Sequence, residues 1–281
     1  MARYDLPDEA WALIQPLLST EPAIPGAGRP WAEHRMIISG MFWVLCSGAP
    51  WRDLPERYGS WKTVYNRFNR CSKSGVINII FNKLLSFPDA HGLVDWSATA
   101  LDGSNIRALR CAACAPKKHP DITGDNSPGR SRGGFGTKIH LATEGSGLPL
   151  NIVLSPGQAH ESQFAQRLLD GTGVHRQNGS MKRRGHAVLA DKACSGHALR
   201  NELKSRGIKT VIPRKSNEKM APDGRSQPDR DAYRNRNVVE RCFGRVKEYC
   251  RIATRYDKTA RNYLAMVKPG CIRLFYKRLC N

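Results

Sequence analysis

The strongest constraint on the fold is a pair of β-rich runs joined by a short polar turn, FGTKIHLATEGSGLPLNIVLSPG, at residues 135–157. Aromatic, aliphatic and β-branched residues dominate both runs, and the turn between them is Glu144-Gly145-Ser146-Gly147. This pattern is typical of a β-hairpin. The chain therefore contains an antiparallel strand pair, and the elements before and after it have to join the same sheet or cover it.

Strand-like and helix-like segments alternate around the hairpin. One strand candidate precedes it, and after it helices and strands follow in turn until the chain becomes helical from about residue 231. The candidates are ATALDGSNIRA (98–108), ESQFAQRLLDGTG (161–173), HAVLADKACSG (186–196), HALRNELKSRG (197–207) and IKTVIPRK (208–215). The order β-β-β-α-β-α-β-α predicts an α/β fold, in which a mixed sheet has helices packed against it.

The first part of the chain has a different pattern. Residues 1–92 predict short amphipathic helices, one ending near Gly48 and another closing before Pro88. We therefore divide the chain into an N-terminal helical region, 1–92, and an α/β region, 93–281. Short helices that end in a basic one suit a helix-turn-helix-like DNA reader, but they suit a plain helical cap on the larger region equally well.

The charge of the chain is large and uneven. The formal net charge is +21, of which residues 181–281 carry +17. A basic surface of that density attracts a polyanion, and nucleic acid is the partner that this balance favours. The sequence shows no signal peptide and no apolar run near the roughly 20 residues of a membrane helix, so we expect a cytoplasmic, nucleoid-associated protein with no membrane partner.

Three acids stand where a carboxylate is costly. Asp102 lies inside the first predicted strand, Asp191 ends the fourth, and Glu240 lies beside the apolar stripe of a basic helix. A carboxylate in a buried strand needs a partner or a cation. If the first and fourth strands are neighbours and that helix packs on them, the three acids meet. Carboxylate oxygens suit Mg²⁺ or Mn²⁺, and two such ions can promote an in-line phosphoryl displacement.

Several stretches carry a family resemblance that spans nearly the whole chain. They are LPDEAWALIQPLL, GMFWVLCSGAPWRDLPERYGSWKTVYNRFNR, LDGSNIRA, GRSRGGFGTKIHLAT, SPGQAHES and RNVVERCFGRVKEYCRIATRYDK. The chain resembles DDE transposases of bacterial insertion sequences, closest to the insertion-sequence five (IS-five) family. The resemblance implies an RNase-H-like catalytic domain and a triad of Asp102, Asp191 and Glu240 that is both catalytic and metal-binding. It also implies cleavage at the ends of the element, strand transfer into target DNA, and a homodimer on DNA.

The most specific part of the resemblance is the family signature Tyr-x₂-Arg-x₃-Glu-x₆-Lys. Here it is Tyr233, Arg236, Glu240 and Lys247, with every spacing kept. On one continuous helix these four side chains would lie within roughly 60° of one another. We therefore predict that Tyr233, Arg236 and Lys247 flank the acid and bind DNA phosphates.

Further DNA contacts are predicted in loops and on one strand. Arg130 and Arg132 lie in a Gly- and Pro-rich basic loop and suit phosphate contacts. His160 and Lys192 follow predicted strands, where each could contact DNA or simply lie in a solvated loop. Lys138 shares one strand face with His140, and that face could meet DNA or water.

Two departures from the family pattern affect the predicted function. Ala193 and Cys194 stand where the family usually has Gly-Tyr, and Pro269-Gly270 interrupts a predicted helix. One reading is therefore an active transposase. The alternative is a catalytically impaired DNA-binding protein on the same scaffold, an end-binder or repressor. A nuclease of the same fold without strand transfer would share the site.

Overall fold

A computed structural model describes residues 4–18, 31–113, 128–175, 180–182, 185–214 and 229–280. The helices are α1 (Asp8–Ile14), α2 (His34–Ser47), α3 (Trp61–Ser74), α4 (Val76–Ala90), α5 (Arg110–Ala113), α6 (Ser162–Asp170), α7 (His197–Ser205), α8 (Arg230–Arg234), α9 (Asn237–Lys247), α10 (Cys250–Ala253) and α11 (Ala260–Cys280). The strands are β1 (Thr99–Ala108), β2 (Gly129–Ser131), β3 (Gly134–Glu144), β4 (Pro149–Pro156), β5 (Val174–His175), β6 (Met181–Lys182), β7 (Ala187–Leu189), β8 (Lys209–Val211) and β9 (Thr254–Arg255). In the part of the chain so described, no helix is both long enough and apolar enough to cross a membrane.

The main sheet has the order β4-β3-β1-β7-β8, with β2 beside one end of β3 and β9 beside the far end of β1. Strands β4, β3 and β1 are antiparallel neighbours, whereas β7 and β8 run parallel to β1. The predicted mixed sheet with flanking helices is confirmed. Three antiparallel strands followed by two parallel ones is the RNase-H-like order that the resemblance implies.

One flank of β1 is only partly paired. Strand β3 pairs with β1 from Thr99 to Arg107. On the other flank β7 pairs only with Thr99 and Ala100, and β9 pairs only with Arg107 and Ala108. In the described part of the chain, residues 101–106 therefore have a strand partner on one side alone. Asp102 lies in this open stretch.

The predicted hairpin between β3 and β4 is confirmed, and its turn is built around a buried carboxylate. Glu144 is fully buried and accepts hydrogen bonds from the backbone N–H groups of Asp95, at 2.6 Å, and Leu148, at 2.7 Å. The hydroxyl of Ser146 donates a third bond at 2.6 Å. Three donors satisfy the charge, so this acid is a structural part of the turn.

The sheet has an apolar cluster on each face. Ala100 and Ile106 of β1 pack in the larger cluster with the N-terminal helices, α9 and α11, whereas Leu101 packs in the smaller one with α6 and α7. The larger cluster continues across residue 92, and the rings of Phe81 and Phe275 lie 5.2 Å apart within it. The N-terminal helical region and the α/β region therefore share one core. Their division at residue 92 stays a proposal based on the sequence.

Two N-terminal helix ends test the predictions about glycine and proline. α2 ends at Ser47, and Gly48 follows with φ of 72°, the left-handed conformation that suits glycine after a helix. The prediction that α4 closes before Pro88 is wrong, because α4 continues to Ala90. Pro88 lies in the last turn, where its missing N–H removes a single helical bond. Its carbonyl accepts from the N–H of Leu93 at 2.8 Å, which helps to close the helix.

The Pro269-Gly270 pair does not break the last helix. α11 runs through both residues, and Gly270 faces α10 and the turn before it. A Cβ added at Gly270 would lie 2.5 Å from Cδ1 of Ile252, which is fully buried, and 3.1 Å from Cδ2 of Tyr249. Glycine at this position therefore permits close packing, and the expectation that it damages the helix is corrected.

We predict that Gly270→Ala destabilises the protein by about 1–3 kcal/mol, since a buried contact becomes overpacked. Gly244→Ala is the matched control, because Gly244 is exposed on α9 and nothing lies within 4 Å of an added Cβ. That change should be neutral or should stabilise by up to about 1 kcal/mol. Urea unfolding of both variants measures the difference, and equal effects would contradict the packing role of Gly270.

Candidate active site

Asp102 is a largely buried carboxylate on the open flank of β1. Its side chain is 19% exposed. The pKa of Asp102 is raised from 3.8 to about 6, chiefly by burial and to a smaller extent by the negative charges of Glu161 and Glu240. The backbone N–H of Gly103 and the guanidinium of Arg236 act in the opposite direction. The protein has thus placed an acid where its charge is not fully compensated.

Arg236 lies between two of the predicted acids, Asp102 and Glu240. Its Nη1 is 3.7 Å from Oδ1 of Asp102, and its Nη2 is 2.5 Å from Oε1 of Glu240. Burial opposes the charge of Arg236, but attraction to Asp102, Tyr233, Glu240 and Asp191 outweighs this and raises its pKa. Asp102 and Glu240 therefore pair with one guanidinium, and the charge of Asp191 also acts on it.

Asp191 reaches this point from the carboxyl end of β7. It caps a 3₁₀ turn over Lys192–Cys194, and its Oδ1 accepts the backbone N–H of Lys192 at 2.5 Å. Because β7 is parallel to β1 and pairs with its first residues, the chain leaves β7 beside the open flank of β1. Strand pairing thus explains why the two aspartates, far apart in sequence, are neighbours.

The change from the family's Gly-Tyr to Ala193-Cys194 is accommodated here. The 3₁₀ turn is right-handed, so alanine adopts it without the strain that a left-handed turn would cause. Cys194 is buried in the smaller apolar cluster. The turn beside Asp191 therefore does not require glycine at position 193.

The signature Tyr-Arg-Glu-Lys is not on one continuous helix, contrary to prediction. Tyr233 ends up on α8, Glu240 and Lys247 lie on α9, and Arg236 is in the turn between the two helices. There the N–H of Arg236 donates to the carbonyl of Tyr233 at 3.0 Å. This hydrogen bond spans three residues, as in a 3₁₀-helix, and therefore interrupts the α-helical pattern. The guanidinium still lies over the Tyr233 ring, 5.8 Å from its centre.

Lys247 contacts β1 next to Asp102. Its Nζ donates to Oγ of Ser104 at 2.5 Å, and Ser104 shares a strand face with Asp102. Burial lowers the pKa of Lys247, and Asp102 counteracts this. The last residue of the signature therefore extends the cationic rim of the site.

The other predicted DNA contacts are divided between surface and interior. Arg130, Arg132, Lys192 and His160 are exposed. The Nδ1 of His160 lies 2.7 Å from Oγ of Ser162, in a local turn. Lys138 differs, since its side chain is only 13% exposed and is paired with an acid.

The strand face that carries Lys138 and His140 is neither solvated nor free for DNA, because α6 covers it. His140 is 2% exposed, stacks on Phe164 of α6 with ring centres 4.9 Å apart, and bonds Oγ of Ser155 at 2.7 Å. The prediction that this strand face meets DNA or water is therefore wrong at His140. Helix α6 follows β4 directly and folds back over the sheet, which a single-strand pattern cannot indicate.

Glu161 is a site residue that the sequence prediction missed. Its Oε1 lies 3.3 Å from Nζ of Lys138, its side chain is 18% exposed, and its charge affects Asp102. The signal was available, because Glu161 follows a buried strand at the start of a helix, as Asp191 follows another strand.

The donor set fits a hard divalent cation, since Asp102, Asp191 and Glu240 offer carboxylate oxygens only. Asp102 and Glu240 are turned toward Arg236, whereas Asp191 accepts the backbone N–H of Lys192. Within the described ranges, no three His, Cys, Asp or Glu side chains lie close enough together to hold a metal ion. A cation that displaced the guanidinium would have the carboxylates of Asp102 and Glu240 beside it.

Comparison with known proteins gives matches along most of the chain. A family model described as "Transposase DDE domain" matches residues 89–268, and one described as "Putative transposase of IS4/5 family" matches residues 6–81. The chain is 32% identical over 143 residues to the "Putative transposase for insertion sequence element IS6501" of Brucella ovis, covering 50% of this chain and 98% of that protein.

A second relative and one solved structure also match the chain. The "Insertion element IS402 uncharacterized 16.2 kDa protein" of Burkholderia cepacia is 36% identical over 115 residues, which cover 39% of this chain and 77% of that protein. The "Crystal structure of a pre-cleavage Mos1 transpososome" aligns with 93% of this chain and 82% of that chain, at 13% identity and a TM-score of 0.28.

The burial of His140 makes the stability of the protein depend on pH. Burial lowers the pKa of His140 from 6.5 to about 4, with a smaller contribution from Lys138. The unfolded chain therefore takes up this proton first, and stability falls as the pH drops from about 6.5 toward 4. From pH 7.5 to pH 5 we expect a loss of about 2 kcal/mol from His140.

His140→Gln should reduce this acid-dependent loss by about that amount, as measured by urea unfolding at both pH values. His160→Gln, at an exposed site, should retain the wild-type pH dependence. A wild-type slope in His140→Gln would contradict the buried neutral state.

Arg236 should stabilise the acids and compete with metal. Without divalent ions, Arg236→Ala should lose about 1–3 kcal/mol of stability, because Asp102 loses its cation. Mn²⁺ should then raise the melting temperature of this variant more than that of the wild type. Arg241→Ala is the control, since Arg241 is exposed on the same helix and bonds Asn237. Equal Mn²⁺ shifts in all three proteins would overturn the prediction.

Proposed function

The chain belongs to the transposase DDE domain family, and on that premise we propose that it cleaves DNA at the ends of an insertion sequence and transfers the freed strand into target DNA. One observation carries the proposal. Asp102 and Glu240 pair with the guanidinium of Arg236 at the unpaired flank of the central strand, and Asp191 follows the strand that pairs with the first residues of that flank. Carboxylates placed together at an open strand flank offer the ligands that a metal-dependent phosphoryl transfer uses.

In this proposal Asp102, Asp191 and Glu240 hold Mg²⁺ or Mn²⁺, two ions in all. When bound, the ions activate the attacking oxygen and stabilise the leaving one. Arg236 and Lys247 orient the scissile phosphate, because both present cationic groups beside Asp102. The side chains of the chain thus bind and position DNA, and no protein nucleophile takes part.

Further contacts with DNA are proposed along the exposed cations. Arg130, Arg132 and Lys192 would bind the backbone without reading sequence, with His160 at the same rim and Tyr233 beside Arg236. Lys138 is paired with Glu161 beneath α6, so a DNA contact is not its best role.

Region 1–92 is the proposed DNA reader. α3 exposes Arg70 and Lys73, while Val64 and Phe68 are buried in the core. These exposed cations would approach a groove while the helix stays anchored. A homodimer on DNA is proposed because the reaction joins two ends of one element.

The alternative, a DNA-binding protein that no longer cleaves, rested on two departures from the family pattern. Ala193-Cys194 forms a right-handed turn, and Gly270 fits the close packing of α11. With both accommodated, the catalytic function is preferred.

The decisive test uses the full chain, Mg²⁺ or Mn²⁺, and DNA that carries the ends of the element. We expect cut and joined products from the wild type. Glu240→Gln should reduce cleavage by at least about a thousandfold while DNA binding persists, because a metal ligand is lost. Glu248→Gln, an exposed acid one residue beyond α9, should cleave like the wild type.

Other outcomes separate the remaining functions. Cuts without joining would indicate a nuclease of the same fold. Shifted but uncut DNA in the wild type would indicate an end-binder. Normal cleavage by Glu240→Gln would overturn the site assignment.

A further inference from the structure

Three stretches that are separate in sequence meet behind the central strand. Gly103 comes from LDGSN, Lys138 from the first strand of the hairpin, and Glu161 from the segment that enters α6. Lys138 donates both to Oε1 of Glu161 at 3.3 Å and to the carbonyl of Ala159 at 3.2 Å. Both charged side chains are mostly buried, at 13% and 18% exposed. A buried ion pair thus lies directly against β1.

Gly103 makes this approach possible. A Cβ at Gly103 would lie 2.9 Å from Oε1 of Glu161 and 3.0 Å from its Cδ and Cγ. Gly103 is not among the glycines with a left-handed φ, so the backbone conformation does not require glycine there. The absence of a side chain is what lets the Glu161 carboxylate rest on the strand. The glycine that follows Asp102 in the sequence therefore serves Glu161.

Neighbouring residues on a strand point to opposite faces, so Asp102 and Glu161 approach β1 from opposite sides. The two acids are nevertheless close, because the Glu161 carboxylate rests on the backbone of Gly103, the residue next to Asp102. Across one strand backbone the negative charge of Glu161 acts on a cation held by Asp102.

Placing a second buried carboxylate behind Asp102 is unfavourable for folding, since like charges repel and both are desolvated. An amide or an apolar side chain would fill the same space at lower cost. The fold nevertheless keeps the acid, supplies Lys138 as its counter-ion and leaves no side chain at position 103. These three features together accommodate the negative charge of Glu161.

We propose that Glu161 is a positioning residue of the active site: from the rear face of β1 it supports Asp102 and increases the attraction of the site for divalent cations. Lys138 acts as its counter-ion and moderates this field. The inference rests on the proposed function, in which Asp102 is a cation ligand. It assigns no direct coordination to Glu161.

The test is Mn²⁺ binding to the full chain without DNA, measured by titration calorimetry and by the electron paramagnetic resonance of free Mn²⁺. Glu161→Gln should bind Mn²⁺ about tenfold more weakly, because one nearby negative charge is removed. Lys138→Met should bind it more tightly, because the opposing charge is removed. A purely structural role would weaken binding in both variants.

A double substitution tests the contact itself. Gly103→Ala should weaken Mn²⁺ binding by displacing Glu161, whereas Gly103→Ala combined with Glu161→Ala should match Glu161→Ala alone. Circular dichroism of each variant establishes that it is folded. Additive losses in the double variant would contradict the proposed contact.

Asp102→Asn separates the two levels of the proposal. If it loses Mn²⁺ binding while Glu161→Gln does not, the positioning role is overturned and the proposed function stands. If Asp102→Asn binds Mn²⁺ like the wild type, the proposed cation site itself fails, and the role of Glu161 fails with it.

Discussion

The ladder between β1 and β3 is the interaction on which the rest of the structure depends. It pairs β1 along nearly its whole length, so the strand stays ordered although its other flank is met only at the two ends. Because order comes from one side, the other side can remain open without loss of the strand. Asp102 lies in that opening, where Arg236, from the turn before α9, pairs with it and Lys247 of α9 bonds the nearby Ser104.

The charges within the fold differ in how fully they are satisfied. Glu144 has three donors, two in its own turn and one from Asp95, and buried Arg255 donates to Thr137 and to the Asp257 carbonyl. These groups hold loops in place. Asp102 instead keeps a pKa of about 6 despite Arg236 beside it. Incomplete compensation distinguishes an acid available to a ligand from an acid used in construction.

Local features were predictable from the sequence, and features that depend on distant packing were not. The hairpin, the strand positions of Asp102 and Asp191, and the mixed sheet follow from alternation and turn chemistry. The break between α8 and α9, the cover of α6 over His140, and the contact of Gly103 with Glu161 depend on residues brought together only by the fold. The role of Gly270 was not predictable for the same reason, because it depends on close packing against Ile252 of α10.

Helix α11 has a consequence for how the protein is made. Phe275 packs on α4, Asn262 bonds Ser72 of α3 at 3.0 Å, and Arg273 donates to Cys46 of α2. The ribosome synthesises α11 last among these elements. The apolar surface of the N-terminal helices therefore stays uncovered until α11 emerges. Polypeptides that terminate early would lack this closing helix and become substrates for chaperones and proteases. Few chains that lack α11 would therefore accumulate in the cell.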